Sequence, residues 1–197
     1  MTPQKDVGVV GNGSTSPLVN PGTGLLVAMH SSVQFVSWRD RVWAYSMLFV
    51  FTACTLISIL ALSVMVLTGD FRGGGAVLLF ILPAFLLFER ALLTVRALMT
   101  STHTARGSLT SAIVVDTNQM RLGVAAIYNL SGRPYPLLSL HIPSENMAVR
   151  VLLMREGGQA FHLIGNTLRV CVSANKGFVT IIGSETGSGI GELLNAA

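Results

Sequence analysis

Two neighbouring ionisable residues, Glu89 and Arg90, sit inside a strongly apolar run over residues 76–99. Charge at membrane depth is costly, so such a pair marks an ion pathway, a contact between helices, or side chains reaching back to the interface. Snorkelling to the interface together with Arg96 is the expected reading, and a helix or oligomer contact the next. The other residues able to do chemistry do not assemble into a site. His30, His103, His141 and His162 are scattered, without the spacing to cysteine or carboxylate that a metal needs. No nucleophile elbow, zinc-binding His-Glu helix or Walker loop occurs. Residues 8–14, GVVGNGS, share only glycines with a phosphate loop, since no helix follows them. Cys54 and Cys171 form no disulfide framework and read as buried thiols acting as small hydrophobes. Neither an enzyme nor a cofactor or metal is expected.

Composition points to a bilayer. Of the 197 residues 51% are hydrophobic and 11% charged, less than half the roughly 25% of a soluble domain. The net charge of +4 is too small for a dedicated nucleic-acid-binding domain, yet it suits an anionic lipid surface or an acidic partner.

Along the chain, residues 1–23 are rich in Gly, Pro, Ser and Asn and read as a flexible terminus, with an N-glycosylation sequon at Asn12. Residues 24–38 are apolar but short and broken by His30, Ser31 and Ser32. They either cross as part of a helix over about 22–38 or lie in the interface. Residues 42–68 carry no charge and predict a transmembrane helix, and residues 76–99 predict a second, kinked at Pro83. From residue 107 the pattern changes to short runs of Val, Ile and Leu between turn signals: 112–116, 121–128, 136–142, 148–154, 160–164, 168–173 and 178–182. This spacing predicts an antiparallel β-sandwich over 107–183, followed by a flexible tail over 184–197.

Arginine gives the orientation. Arg39 and Arg41 precede the first strong helix, and Arg90, Arg96 and Arg106 accompany or follow the second, whereas the turn between has only Arg72 beside Asp70. The hairpin turn is therefore expected outside and the β domain in the cytosol, with Trp38, Trp43 and Tyr45 in an interfacial aromatic belt. If residues 22–38 cross, Asn12 lies outside and can carry a glycan; the second sequon, at Asn129, stays cytosolic.

The layout resembles the membrane (M) protein family of nidoviruses, above all its coronavirus branch. The likeness is carried by Gln34-Phe35 before Arg39-Asp40-Arg41, similar to the family's end of helix one and its R-x-R inner loop. The charge-free second span leads to Gly73-Gly74-Gly75, similar to the start of helix three, and Arg96 falls where that helix ends. It covers residues 24–106; the aromatic hinge that follows in the family is replaced here by residues 100–106, TSTHTAR. The resemblance implies three spans, a homodimerising β endodomain and a place in virion and host Golgi membranes. It also implies partners: nucleocapsid protein, spike-type and small envelope proteins. From residue 100 on, seven basic residues face five acidic ones, an excess that permits contact with a ribonucleoprotein without requiring it. Two alternatives remain: a cellular two-span protein whose cytosolic β domain binds a partner or ligand, and an ion channel or transporter using Glu89 and Arg90.

Overall fold

The structure, a computed structural model, describes residues 31–69, 74–120, 134–155, 157 and 159–195. The expected flexible terminus, Asn12, Asn129 and the expected strand over 121–128 lie outside them. A short strand β1 (Ser32–Phe35) leads directly into helix α1 (Trp38–Thr68). Helix α2 (Gly74–Thr104) returns antiparallel to it and passes into β2 (Ser108–Met120). Strands β3 (Tyr135–Ile142), β4 (Met147–Met154), β5 (Thr167–Val172) and β6 (Val179–Ser184) follow, then a one-turn helix α3 (Ile190–Leu193).

Both long helices are apolar enough to cross a membrane. Their polar groups are handled as a bilayer demands. All six Ser and Thr hydroxyls of α1, from Ser46 to Thr68, donate to the carbonyl four residues back, at 2.7–3.0 Å. No hydroxyl of α1 is left unsatisfied facing lipid. Ser37 caps the start of α1 through a reciprocal box with Asp40, and the left-handed Gly69 ends it, donating to the Met65 carbonyl.

Helix α2 changes character at Glu89. Above it Leu79, Leu82 and Phe85 are exposed, whereas below it Ala91, Leu93, Thr94, Ala97, Thr100 and Thr104 are all buried. The upper part faces outward beside α1, with Phe51 and Phe88 in ring contact at 6.2 Å. The lower part docks on the sheet, in a cluster of Leu93 and Ala97 with Val33, Tyr135, Leu137 and Leu152.

The β domain is one curled sheet, in the order β1-β4-β3-β2-β5-β6. The expected antiparallel sandwich is thus corrected: the sheet is single and mixed, because β1 pairs parallel with β4, Ser32 beside Val151 and Phe35 beside Met154. Long β2 pairs with β5 through its first half and with β3 through its second, shifting register between Val114 and Asp116. Residues 117–120, expected as a turn between the strands over 112–116 and 121–128, are strand as well. Curling encloses an inner core of Val114, Leu140, Val151, Leu153, Val170 and Ile181. Residues 160–164, expected as a strand, form a 3-10 turn (Phe161–Leu163) that lays Leu163 on this core. The tail is not free either, since α3 buries Ile190 against the core, as does Leu194 beside it.

The expected span over 22–38 is corrected where the structure describes it. Ser32–Phe35 is strand, not helix, and α1 already begins at Trp38, so Arg39 and Arg41 lie in a helical first turn rather than an inner loop. The chain therefore enters α1 from the sheet of the β domain. Residues 13–30 contain Pro17, Pro21, Gly22 and Gly24 and cannot supply the roughly 20 apolar residues of a span. Asn12 is expected to stay unglycosylated and to share the protease accessibility of the C-terminus in sealed microsomes. A glycosidase-sensitive Asn12 would require a crossing upstream of Ser31.

Candidate functional site

The chemistry-bearing residues gather where the helices meet the sheet. Asp40 accepts from the Ser37 backbone N–H at 3.0 Å and from the Ser37 hydroxyl at 2.7 Å, while its own N–H donates back at 3.2 Å. This carboxylate also lies where the positive end of the α1 dipole is strongest. The next residue, Arg41, lies 5.9 Å from the Phe35 ring, and Tyr45, one turn on, meets the same ring edge-on at 6.1 Å. The foot of α1 is thereby fixed to β1.

Helix α2 is fixed by another aromatic contact. The Arg96 guanidinium lies 4.6 Å from the Phe178 ring, and His103, seven residues on, stacks against that ring at 4.8 Å. Below it, Thr104 shares a hydrogen bond with Thr180 at 2.7 Å, and its carbonyl accepts from the Cys171 thiol. Gly107 then passes so close to β5 that an added Cβ would stand 2.2 Å from the Val172 carbonyl oxygen.

Between these anchors opens a cleft of about 340 Å³, lined from α1 by Arg39, Asp40 and Trp43, from α2 by Arg90 and Thr94, and from the sheet by Tyr135, Met154 and Arg155. Of the residues singled out in the sequence, the structure brings Arg39 and Arg90 together here. Arg41 and Arg96 point into separate aromatic contacts, and Glu89 sits at the boundary between the outward-facing and docked parts of α2. Both cysteines are half-buried rather than fully buried. Arg155 was not foreseen; it directly follows β4 and donates to the Gly191 carbonyl and the Asn195 side chain. Its only signal is a lone arginine closing an apolar strand, which many surface residues share. His141 and His162 do not reach the cleft: His162 contacts the Leu193 carbonyl at 2.7 Å. Among the described residues no three His, Cys, Asp or Glu side chains come together.

No protein-family profile, curated protein or solved structure matches this chain.

Proposed function

We propose that the protein is a membrane scaffold of the viral envelope, matrix type: its helices hold the β domain against the inner face of a bilayer, copies associate side by side, and the domain recruits a nucleocapsid protein. The observation that carries this reading is the stiffness of the coupling. Two residues separate β1 from α1, three separate α2 from β2, and the second half of α2 packs one face on the sheet. Force generated between β domains therefore passes directly into lipid-facing helices, as the bending of a membrane requires. The outer face of β2 offers an apolar row for self-association, with Leu109 and Val115 about 60% exposed. Residence in Golgi membranes and contacts with spike-type and small envelope proteins come with the family resemblance. Co-expression with a nucleocapsid protein should yield released membrane particles containing both, read by density-gradient flotation. Neither particles nor co-precipitation would sink the reading.

A second reading, a cellular two-span protein whose cytosolic β domain binds a partner, is favoured by β1. Its pairing with β4 supports a topology in which the chain entering α1 and the chain leaving α2 share one side of the membrane. Particle release separates the two readings.

A further inference from the structure

We infer that the seam between β1 and β6 is a latch that a thin bilayer opens, with α1 as its lever. β1 and β6 are the two edges of the curled sheet. Across the seam the Gln34 amide donates to the Ile181 carbonyl at 2.6 Å and accepts from the Ile181 N–H at 2.8 Å. Ser32 accepts from the Val179 N–H at 2.9 Å. The two edges answer to different helices. β1 runs into α1 after two residues, and Phe35 at its end is gripped by Arg41 and Tyr45 of α1. β6 is held by the docked half of α2: Thr104 shares a hydrogen bond with Thr180, and Arg96 and His103 both contact the Phe178 ring. A change of angle between α1 and the docked half of α2 therefore loads the seam. Val33 is anchored under Leu93 and Ala97, with its N–H on Thr100 at 3.3 Å, so the load falls on Gln34 and Phe35. Phe35 is laddered to β4 beside Met154, and the side-chain bonds of Gln34 yield first.

Bilayer thickness sets that angle. α1 has neither proline nor glycine from Trp38 to Thr68, so it tilts as one rod. Its charge-free run over 42–68 is roughly 40 Å long, against a hydrocarbon core of about 30 Å. It must tilt, and more steeply as the bilayer thins. Tilting the whole molecule would drive one side of the polar β domain into the headgroups, so the change falls on the angle between the helices. Two features let this angle change. An apolar gap of about 290 Å³ separates the helices, between Phe51 and Ser58 of α1 and Ala84 and Phe88 of α2. Pro83 has no N–H to give the Leu79 carbonyl, so the upper half of α2 can follow α1 while the lower half stays on the sheet. Both readings of function leave this latch unchanged, since it needs only that α1 and α2 span a bilayer.

Hydrogen exchange is followed with the full chain in nanodiscs of short-chain or long-chain phosphatidylcholine. The Val179 and Ile181 amides donate across the seam, so both should exchange about tenfold faster in the thin bilayer. Leu138, fully buried in the middle of the sheet, should stay within about twofold. Three glycines inserted between Val36 and Ser37, together with Phe35→Leu, cut the lever from β1 and leave the Ser37–Asp40 cap whole. The difference at Ile181 should then shrink to within about twofold. Phe35→Leu alone, a milder cut, should reduce it to about threefold, which keeps the lever testable should the insertion disturb folding. Equal exchange at Ile181 in the two bilayers would overturn the latch, as would a matching acceleration at Leu138, the mark of general loosening. A tenfold difference that survives both cuts would show that α1 is not the lever.

Discussion

Gly107→Ala is expected to abolish a stably folded protein. The added methyl would meet the Val172 carbonyl oxygen at 2.2 Å and the Cys171 thiol at 2.8 Å. The first of these is backbone in β5, which is hydrogen-bonded to β2 on one side and β6 on the other. It cannot retreat without breaking a ladder. On the other side, Gly107 is tied by its N–H to the Thr104 carbonyl at 2.9 Å, so the end of α2 cannot retreat either. Overpacking a yielding core costs about 1–3 kcal/mol, and a clash between two pinned backbones belongs at or above the top of that range. The helices should still form, because their hydrogen bonds are internal. The expected result is a protein of near-normal helical signal whose β domain is rapidly cut by protease and whose upper melting transition is missing. Gly75→Ala is the matched control, since nothing lies within 4 Å of its added methyl. Wild-type melting for Gly107→Ala would show that the junction yields where the packing says it cannot.

That junction also shows what the sequence made legible. Both long helices could be read because apolar runs of that length, the first of them free of charge, have few other fates. Strands β3 to β6 could be read from apolar runs between turn residues, each within about two residues of its bounds. Topology could not. Ser32-Val33-Gln34-Phe35 does alternate polar and apolar, but four residues inside a weakly apolar stretch are too few to outweigh a continuous helix. Its partner β4 lies more than a hundred residues away, and parallel pairing leaves no local mark. Helix α3 is a single turn whose position is set by the burial of Ile190 and Leu194 in the inner core, a tertiary effect with no propensity behind it. The arginine cleft was half legible. Arg39 and Arg90 stood out against apolar neighbours, whereas Arg155 joined them only through the curl of the sheet.

Gln34→Leu should open the sheet along its one unladdered seam. β1 and β6 are the two edges of the sheet, brought face to face by its curl. Backbone pairing does not join them there; side chains do. The Gln34 amide donates to the Ile181 carbonyl at 2.6 Å and accepts from the Ile181 N–H at 2.8 Å, copying one rung of a ladder. Ser32 adds a second contact, accepting from the Val179 N–H at 2.9 Å. Ile181 is 1% exposed, so water cannot replace the amide when leucine removes it. Two orphaned backbone groups at about 1–3 kcal/mol each put the loss on the order of 3 kcal/mol. Gln34→Glu should cost more than Gln34→Leu. Its carboxylate can still accept from the Ile181 N–H, but it presents an oxygen to the Ile181 carbonyl and brings a charge into a partly buried seam. Both variants should speed hydrogen exchange at Ile181 while leaving α1 protected. A freed β6 edge then offers unpaired N–H and C=O groups to other chains, so concentration-dependent aggregation should accompany the lost stability. If Ile181 exchanged at the wild-type rate in Gln34→Leu, the seam would be held by α2 packing over β1 rather than by the amide. The closure of this sheet would then depend on the membrane helices themselves.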